Sequence, residues 1–171
     1  MLSDNLTRLR ALEPDDLDIL YNVENDVALW AVGNTNAPYS REVLRQYLLS
    51  TTCDIYTDKQ LRLVVETHGG EAVGMVDLLS FDAMNARAEV GIVTLATHRQ
   101  KGYGRSALRQ LVGYSRQVLH LHQLYAYVAS DNQPSLRLFQ SCGFVAACEL
   151  RDWLKTSSGY QSVVLMQRVP G

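Results

Sequence analysis

Arg99-Gln100-Lys101-Gly102-Tyr103-Gly104 joins two segments of different character. Before it, Ala88-Glu89-Val90-Gly91-Ile92-Val93-Thr94-Leu95 reads as a buried strand. After it, Leu108, Leu111, Val112, Ser115, Val118 and Leu119 recur at helical spacing. A glycine-bearing loop that ends a strand and opens a helix can hold an anion. The first N–H groups of the helix lack partners, the helix dipole stands behind them, and glycine lets the backbone approach closely. The loop is not a Walker A loop, because no Lys-Ser or Lys-Thr follows its last glycine, and it is not the dinucleotide fingerprint. A nucleotide-phosphate enzyme would also need a hydroxyl residue for Mg²⁺ at that place.

Other elements must position this loop. Residues 6–12 alternate as an opening strand. Pro14, Asp15 and Asp16 suit a helix first turn, and that helix is expected to run to about Asp26. Residues 34–38 read as a loop, and Ser40 as the N-cap of a second helix through about Leu49. Residues 61–66 and 72–79 flank His68-Gly69-Gly70 as a hairpin, and residues 82–85 turn into the Glu89 strand. A strand at 124–128 follows the long helix. Asn132 then caps a short helix with Pro134 in its first turn, and Gly143-Phe144 starts another strand. Ser157-Ser158-Gly159 reads as a turn before a last strand at 162–167. The pattern predicts an α/β (α+β) fold: one domain over residues 1–171, with a mixed sheet of about seven strands flanked by helices.

Composition narrows the class. The 171 residues contain no run of about 18 apolar residues, so no membrane-spanning helix is expected. The first residues lack the basic and apolar regions of a signal peptide. Cys53, Cys142 and Cys148 have no metal-ligand spacing and read as free thiols in a reducing cytoplasm. His120 and His122 lack a third ligand, so no metal is expected. The net charge of −2 conceals an asymmetry. Residues 1–58 carry four arginines against ten acids, a net of −6; residues 59–171 carry twelve bases against eight acids, a net of +4. The basic part surrounds the loop with Arg99, Lys101, Arg105 and Arg109, which suits a polyphosphate, and the acidic part suits a cation. No basic run interleaved with aromatics points to nucleic acid.

The form Arg/Gln-x-x-Gly-x-Gly after a Glu-containing strand resembles the acetyl-CoA pyrophosphate loop of the GNAT superfamily of N-acetyltransferases. A second match follows: Leu124-Tyr125-Ala126-Tyr127-Val128, Asn132-Gln133-Pro134-Ser135, Leu138-Phe139 and Gly143-Phe144. Residues 60–168 carry the resemblance well, and the N-terminal third more loosely. Asn25-Asp26-Val27, Trp30, Pro38-Tyr39-Ser40 and Leu150-Arg151-Asp152-Trp153 look like the branch of ribosomal-protein N-terminal and spermidine acetyltransferases. The resemblance implies a mostly antiparallel sheet whose two central parallel strands splay apart, and a homodimer paired through the C-terminal sheet edge. It also implies acetyl transfer from acetyl-CoA to the primary amine of a polyamine or a peptide N-terminus, by direct attack on the thioester.

Residue by residue, the resemblance places the backbone of Ile92, Val93 and Thr94 beside the pantetheine arm. The N–H groups of Arg99, Gln100, Lys101, Gly102, Tyr103, Gly104 and Arg105 would lie on the pyrophosphate, and Asn132, Ser135 and Phe139 along the cofactor's other side. Glu89, a carboxylate in an apolar strand, is either the base that takes the amine proton or the partner of Arg87 in an ion pair. Trp30, Asn34 and Tyr39 would wall the acceptor, with Asp26 and Glu24 as ammonium ligands. Phe139 departs from the family, where a Tyr gives the leaving thiolate its proton. Either the thiolate leaves unassisted, or Tyr103, Tyr125, Tyr127 or water serves, or the chain catalyses poorly. Packed tyrosine is the plainer reading of Tyr125 and Tyr127, and core packing that of Cys142. From Phe139 comes the alternative of a catalytically weak acyl-CoA-binding or sensor module.

Overall fold

The computed structural model describes residues 2–33, 35 and 37–170. Strands β1 (Thr7–Ala11), β2 (Leu61–Thr67), β3 (Ala72–Asp82), β4 (Arg87–Thr94), β5 (Gln123–Ala129), β6 (Val145–Thr156) and β7 (Gly159–Arg168) form one sheet. Their order is β1-β2-β3-β4-β5-β7-β6. Every neighbouring pair is antiparallel except β4 and β5. These two parallel strands pair at three rungs, Arg87 with Gln123, Ala88 with Leu124 and Glu89 with Tyr125, and then diverge.

Both faces of the sheet are covered, which is why β3 carries the unbroken apolar run Val73-Gly74-Met75-Val76, all buried. On one face, α5 (Tyr103–Gln117) and α6 (Gln133–Ser141) contribute Ala107, Leu108, Leu111 and Phe139 to a core with Val76, Leu78, Ala126 and Val128. On the other, α1 (Leu17–Glu24) and α3 (Arg41–Ser50) close Leu20, Val23 and Leu44 over Met75. A polar contact ties α5 to the first strand. Buried Thr7 hydrogen-bonds Ser106 Oγ at 2.5 Å, and Gln110 Nε2 donates to Thr7 Oγ1 at 2.9 Å. Among the described residues, no helix is long and apolar enough to cross a membrane.

The structure departs from the sequence reading in four places. The helix expected to reach Asp26 ends at Glu24, and α2 (Val27–Gly33) follows it. Asn25 breaks the chain: its amide donates to the carbonyls of Tyr21 and Tyr39 at 3.0 and 3.1 Å, bonds that compete with helix continuation. A short α4 (Ile55–Asp58) was not anticipated, although Asp54 caps it by accepting from Tyr56 N–H at 3.1 Å. Strand β6 begins at Val145, because Gly143 at φ +84° and buried Phe144 still belong to the turn after α6. The last strand begins at Gly159 rather than Ser162, since the Ser157-Ser158 turn closes at once into a hairpin.

Candidate active site

The loop after β4 passes twice through left-handed backbone, once at a glycine. Gln100 sits at φ +62° and Gly102 at φ +84°. Gly102 is the N-cap of α5, and no side chain caps that terminus. The N–H groups of Tyr103, Gly104 and Arg105 therefore stand in the first turn without intrahelical partners, and the first helical bond is Ser106 N–H to Gly102 C=O at 3.0 Å. Arg99 folds back, its Nε donating to Thr94 C=O at 3.2 Å. A Cβ built on Gly104 would lie 3.2 Å from Thr94 Oγ1 and 3.5 Å from Leu138 Cδ2. This cradle of donors in a tight turn fits a diphosphate. A Gly104→Val substitution is expected to push α5 away from Thr94 and weaken acetyl-CoA binding about tenfold to thirtyfold, read by calorimetry, with the circular dichroism spectrum retained.

At the divergence of β4 and β5 lies a cavity of about 400 Å³. Glu89, Ile92 and Val93 line it from β4, and Asn132, Ser135 and Phe139 line it from the start of α6 and its body. Glu24, Leu29 and Trp30 line it from α1 and α2. Groups from both faces of the sheet thus meet in one space through the splay. Thr94 and the 99–105 loop are outside this lining, at the end of β4. Trp30 is held by its Nε1 donating to Glu24 C=O at 2.9 Å. Asn132 caps α6, its Oδ1 accepting from Ser135 N–H at 3.1 Å. Phe139 packs edge-on against Phe144, ring centroids 5.0 Å apart.

Two of the expected acceptor residues stand elsewhere. Asp26 is exposed and caps α2, accepting from Ala28 N–H at 3.0 Å. Tyr39 uses its backbone, its N–H donating to Asn25 Oδ1 at 2.8 Å, and does not line the cavity. Asn34 lies outside the described residues. The cavity instead holds Arg62 and Asp77, which the sequence reading did not single out. Arg62 Nε donates to Asp77 Oδ1 at 2.8 Å, its NH2 donates to Oδ2 at 3.1 Å, and its NH1 bonds Glu24. Burial works against the Arg62 charge, yet Asp77 and Glu24 outweigh it and hold the guanidinium above its usual pKa. The hairpin sets Arg62 opposite Asp77 only past a register shift between Val65 and Glu66, which plain counting from the turn would miss.

Glu89 does not pair with Arg87. Arg87 turns to Asp82 at 3.2 Å. Glu89 is half-buried, and burial raises its carboxyl above the ordinary value while the Ser80 hydroxyl opposes the rise. A register shift between Leu79 and Asp82 puts Ser80 at φ +50° and brings it to this point. Tyr125, on the adjoining rung, is also raised by burial and by the Glu89 charge.

A splayed pair of parallel strands with an uncapped helix N-terminus beyond it leaves room for a phosphate-bearing ligand threaded between the strands. Residues 7–145 match the acetyltransferase (GNAT) domain family, and the chain belongs to that family. It is 29% identical over 161 residues to a spermidine N(1)-acetyltransferase of Vibrio cholerae, covering 92% of this chain and 90% of the relative. It is 26% identical to a putative ribosomal N-acetyltransferase of Bacillus subtilis, over 91% and 87% of the two chains. The crystal structure of the Vibrio cholerae spermidine N-acetyltransferase with CoA and spermine superposes with a TM-score of 0.87, at 27% identity over 97% and 96% of the chains. A dodecameric structure of the Vibrio cholerae enzyme gives a TM-score of 0.81 at 28% identity, over 97% and 95% of the chains. The chain is an acetyl-CoA-dependent N-acetyltransferase.

Proposed function

We propose that residues 1–171 form one cytoplasmic acetyltransferase domain that acetylates a primary amine of a polyamine. One observation carries this reading. Among the described residues, the cavity sets the carboxylates of Glu24, Asp77 and Glu89 against one guanidinium, that of Arg62, so its charge balance favours a cationic guest. The spermidine acetyltransferases among the relatives agree with it. Free cysteines at 53, 142 and 148 suit a reducing compartment. The outer strand β6, exposed along most of its twelve residues, offers an edge for pairing with a second copy; elution of the purified chain as a single copy on gel filtration would count against that edge.

Acetyl-CoA supplies the acyl group, activated as a thioester. The first turn of α5 would hold its diphosphate, and Asn132 and Ser135 at the start of α6 would flank its arm. The backbone N–H groups of β4 beyond Glu89, which have no β5 partner, would donate to the arm and to the carbonyl oxygen where negative charge develops. An ammonium is not a nucleophile, and its ordinary pKa is near 10. Glu89 is the base that receives its proton, directly or through one water, and its raised pKa brings it closer to working pH. Trp30 forms the apolar wall against the methylene chain of the acceptor.

The test is thiol release from acetyl-CoA, followed with a thiol dye, against polyamines, amino acids and peptides beginning with Ser, Ala or Met. Release that depends on a polyamine is the expected result. Release confined to peptides would replace polyamine by a protein N-terminus. Tight acetyl-CoA binding without release by any amine would favour the binding-module alternative that Phe139 raises.

A further inference from the structure

Transfer to nitrogen expels a sulfur that carries an electron pair. A proton donor at that sulfur lowers the barrier, and a side chain that faces the same cavity is placed to supply it. Phe139 faces it and has no proton to give. Among the described residues lining the cavity, Tyr127 is the single tyrosine; the aliphatic hydroxyls of Thr35 and Ser135 do not titrate in the working range. Tyr103 belongs to the first turn of α5, and Tyr125 is taken up with Ser80 and Glu89.

We propose that Tyr127 is the catalytic acid that protonates the leaving thiolate, in a role that an aromatic on α6 is unable to fill here. The proposal rests on the cavity being the site of acetyl transfer. Three features support it. Tyr127 lies two residues past the last β4–β5 rung, so on that side its strand faces the open splay. Its ring is fixed on two sides, stacked on Trp153 with centroids 6.0 Å apart at 21°, and met edge-on by Tyr125 at 5.8 Å and 79°. Its hydroxyl makes no side-chain hydrogen bond among the described residues, which leaves it free to meet a group in the cavity. A rigid ring with an uncommitted O–H beside the reacting space is what a proton donor requires.

The step balances. With the ammonium proton already passed through Glu89 to water, the carbon–nitrogen bond forms, the nitrogen gives its second proton to Glu89, and the carbon–sulfur bond breaks. The sulfur keeps the electron pair and accepts the phenolic proton of Tyr127, which regains a proton from water. The phenolic hydroxyl hydrogen-bonds the sulfur as charge develops and passes its proton along that bond as the carbon–sulfur bond breaks.

Tyr127→Phe removes one oxygen and keeps the stack on Trp153. Turnover with any amine the wild-type chain accepts is expected to fall tenfold or more, with the amine KM within about twofold. A binding measurement separates this from packing. Wild type is expected to bind CoA about fivefold more tightly than desulfo-CoA by calorimetry, and Tyr127→Phe to bind the two alike. Turnover within twofold of wild type, a loss confined to amine KM, or a CoA preference that survives the substitution would each overturn the assignment. A wild-type chain inactive with every amine would remove the polyamine reading instead, and the CoA comparison would still decide the role of Tyr127.

Discussion

Glu89→Gln is expected to lower amine-dependent turnover by about 10²- to 10⁴-fold and to abolish the acidic limb of the pH–rate profile. The substitution keeps the shape of the side chain and removes its basicity. On the proposed base role the active form is the carboxylate, and burial lifts its pKa above the ordinary 4.5. Turnover should therefore fall as pH drops through that raised value, above where an exposed carboxylate would titrate. Stability runs the other way. A carboxyl with a raised folded pKa contributes stability while protonated, and that contribution is lost as pH rises through the folded pKa. The glutamine variant should accordingly be no less stable than wild type at neutral pH. A pH series of kcat/KM together with thermal melting of both proteins checks both signs. Retained turnover, or an acidic limb that persists in the glutamine variant, would remove Glu89 from the base role.

Arg62→Ala is expected to destabilise the fold by about 3–5 kcal/mol, because it leaves two carboxylates facing each other without their cation. The side chains concerned are well covered: 21% exposed for Arg62, 13% for Asp77 and 18% for Glu24. Arg62 also joins β2 and β3 to the end of α1, so its loss releases the helix that carries one wall of the cavity. Urea unfolding measures the effect. Arg45→Ala serves as the contrast: its partner Glu42 is one helical turn away, both side chains are more than half exposed, and no measurable change is expected. Equal midpoints for Arg62→Ala and Arg45→Ala would show the triad to be without structural weight.

The loop at 99–104 was legible in the sequence because its signals are local: glycines, a β-rich run before them and a helical period after them. The sheet was legible for a similar reason, since each hairpin is announced by a turn. Less was legible where the cause is distant or has two uses. The ten acids of residues 1–58 suggested a surface for a cation, yet the fold spends most of them locally. Asp16 pairs with Arg10, Asp18 with Arg41, and Asp54 and Asp26 cap helices. Of that group, Glu24 alone lines the cavity among the described residues, beside an Asp77 that composition assigns to the basic part of the chain. The pairing of Arg62 with Asp77 depends on a shift in register near Val65 and Glu66 that no single residue reveals. The break at Asn25 arises from a contact with Tyr39, fourteen residues away, which helical periodicity does not contain.

The three-rung seam between β4 and β5 has an evolutionary side. Past Glu89 and Tyr125, main-chain groups that a complete sheet would use on itself are left for a guest. On the reading proposed above, the grip on an amide-bearing arm is written in those main-chain groups, whose hydrogen-bonding capacity is the same for almost every amino acid. Side chains along the seam that take no part in the chemistry are then free to drift, and acceptor preference can change at Trp30 without disturbing how the acetyl donor is held. Substitutions that alter the path of the backbone itself, at Gly102 and Gly104, have no such freedom. The seam divides the molecule into a part that inheritance must keep and a part it can rewrite.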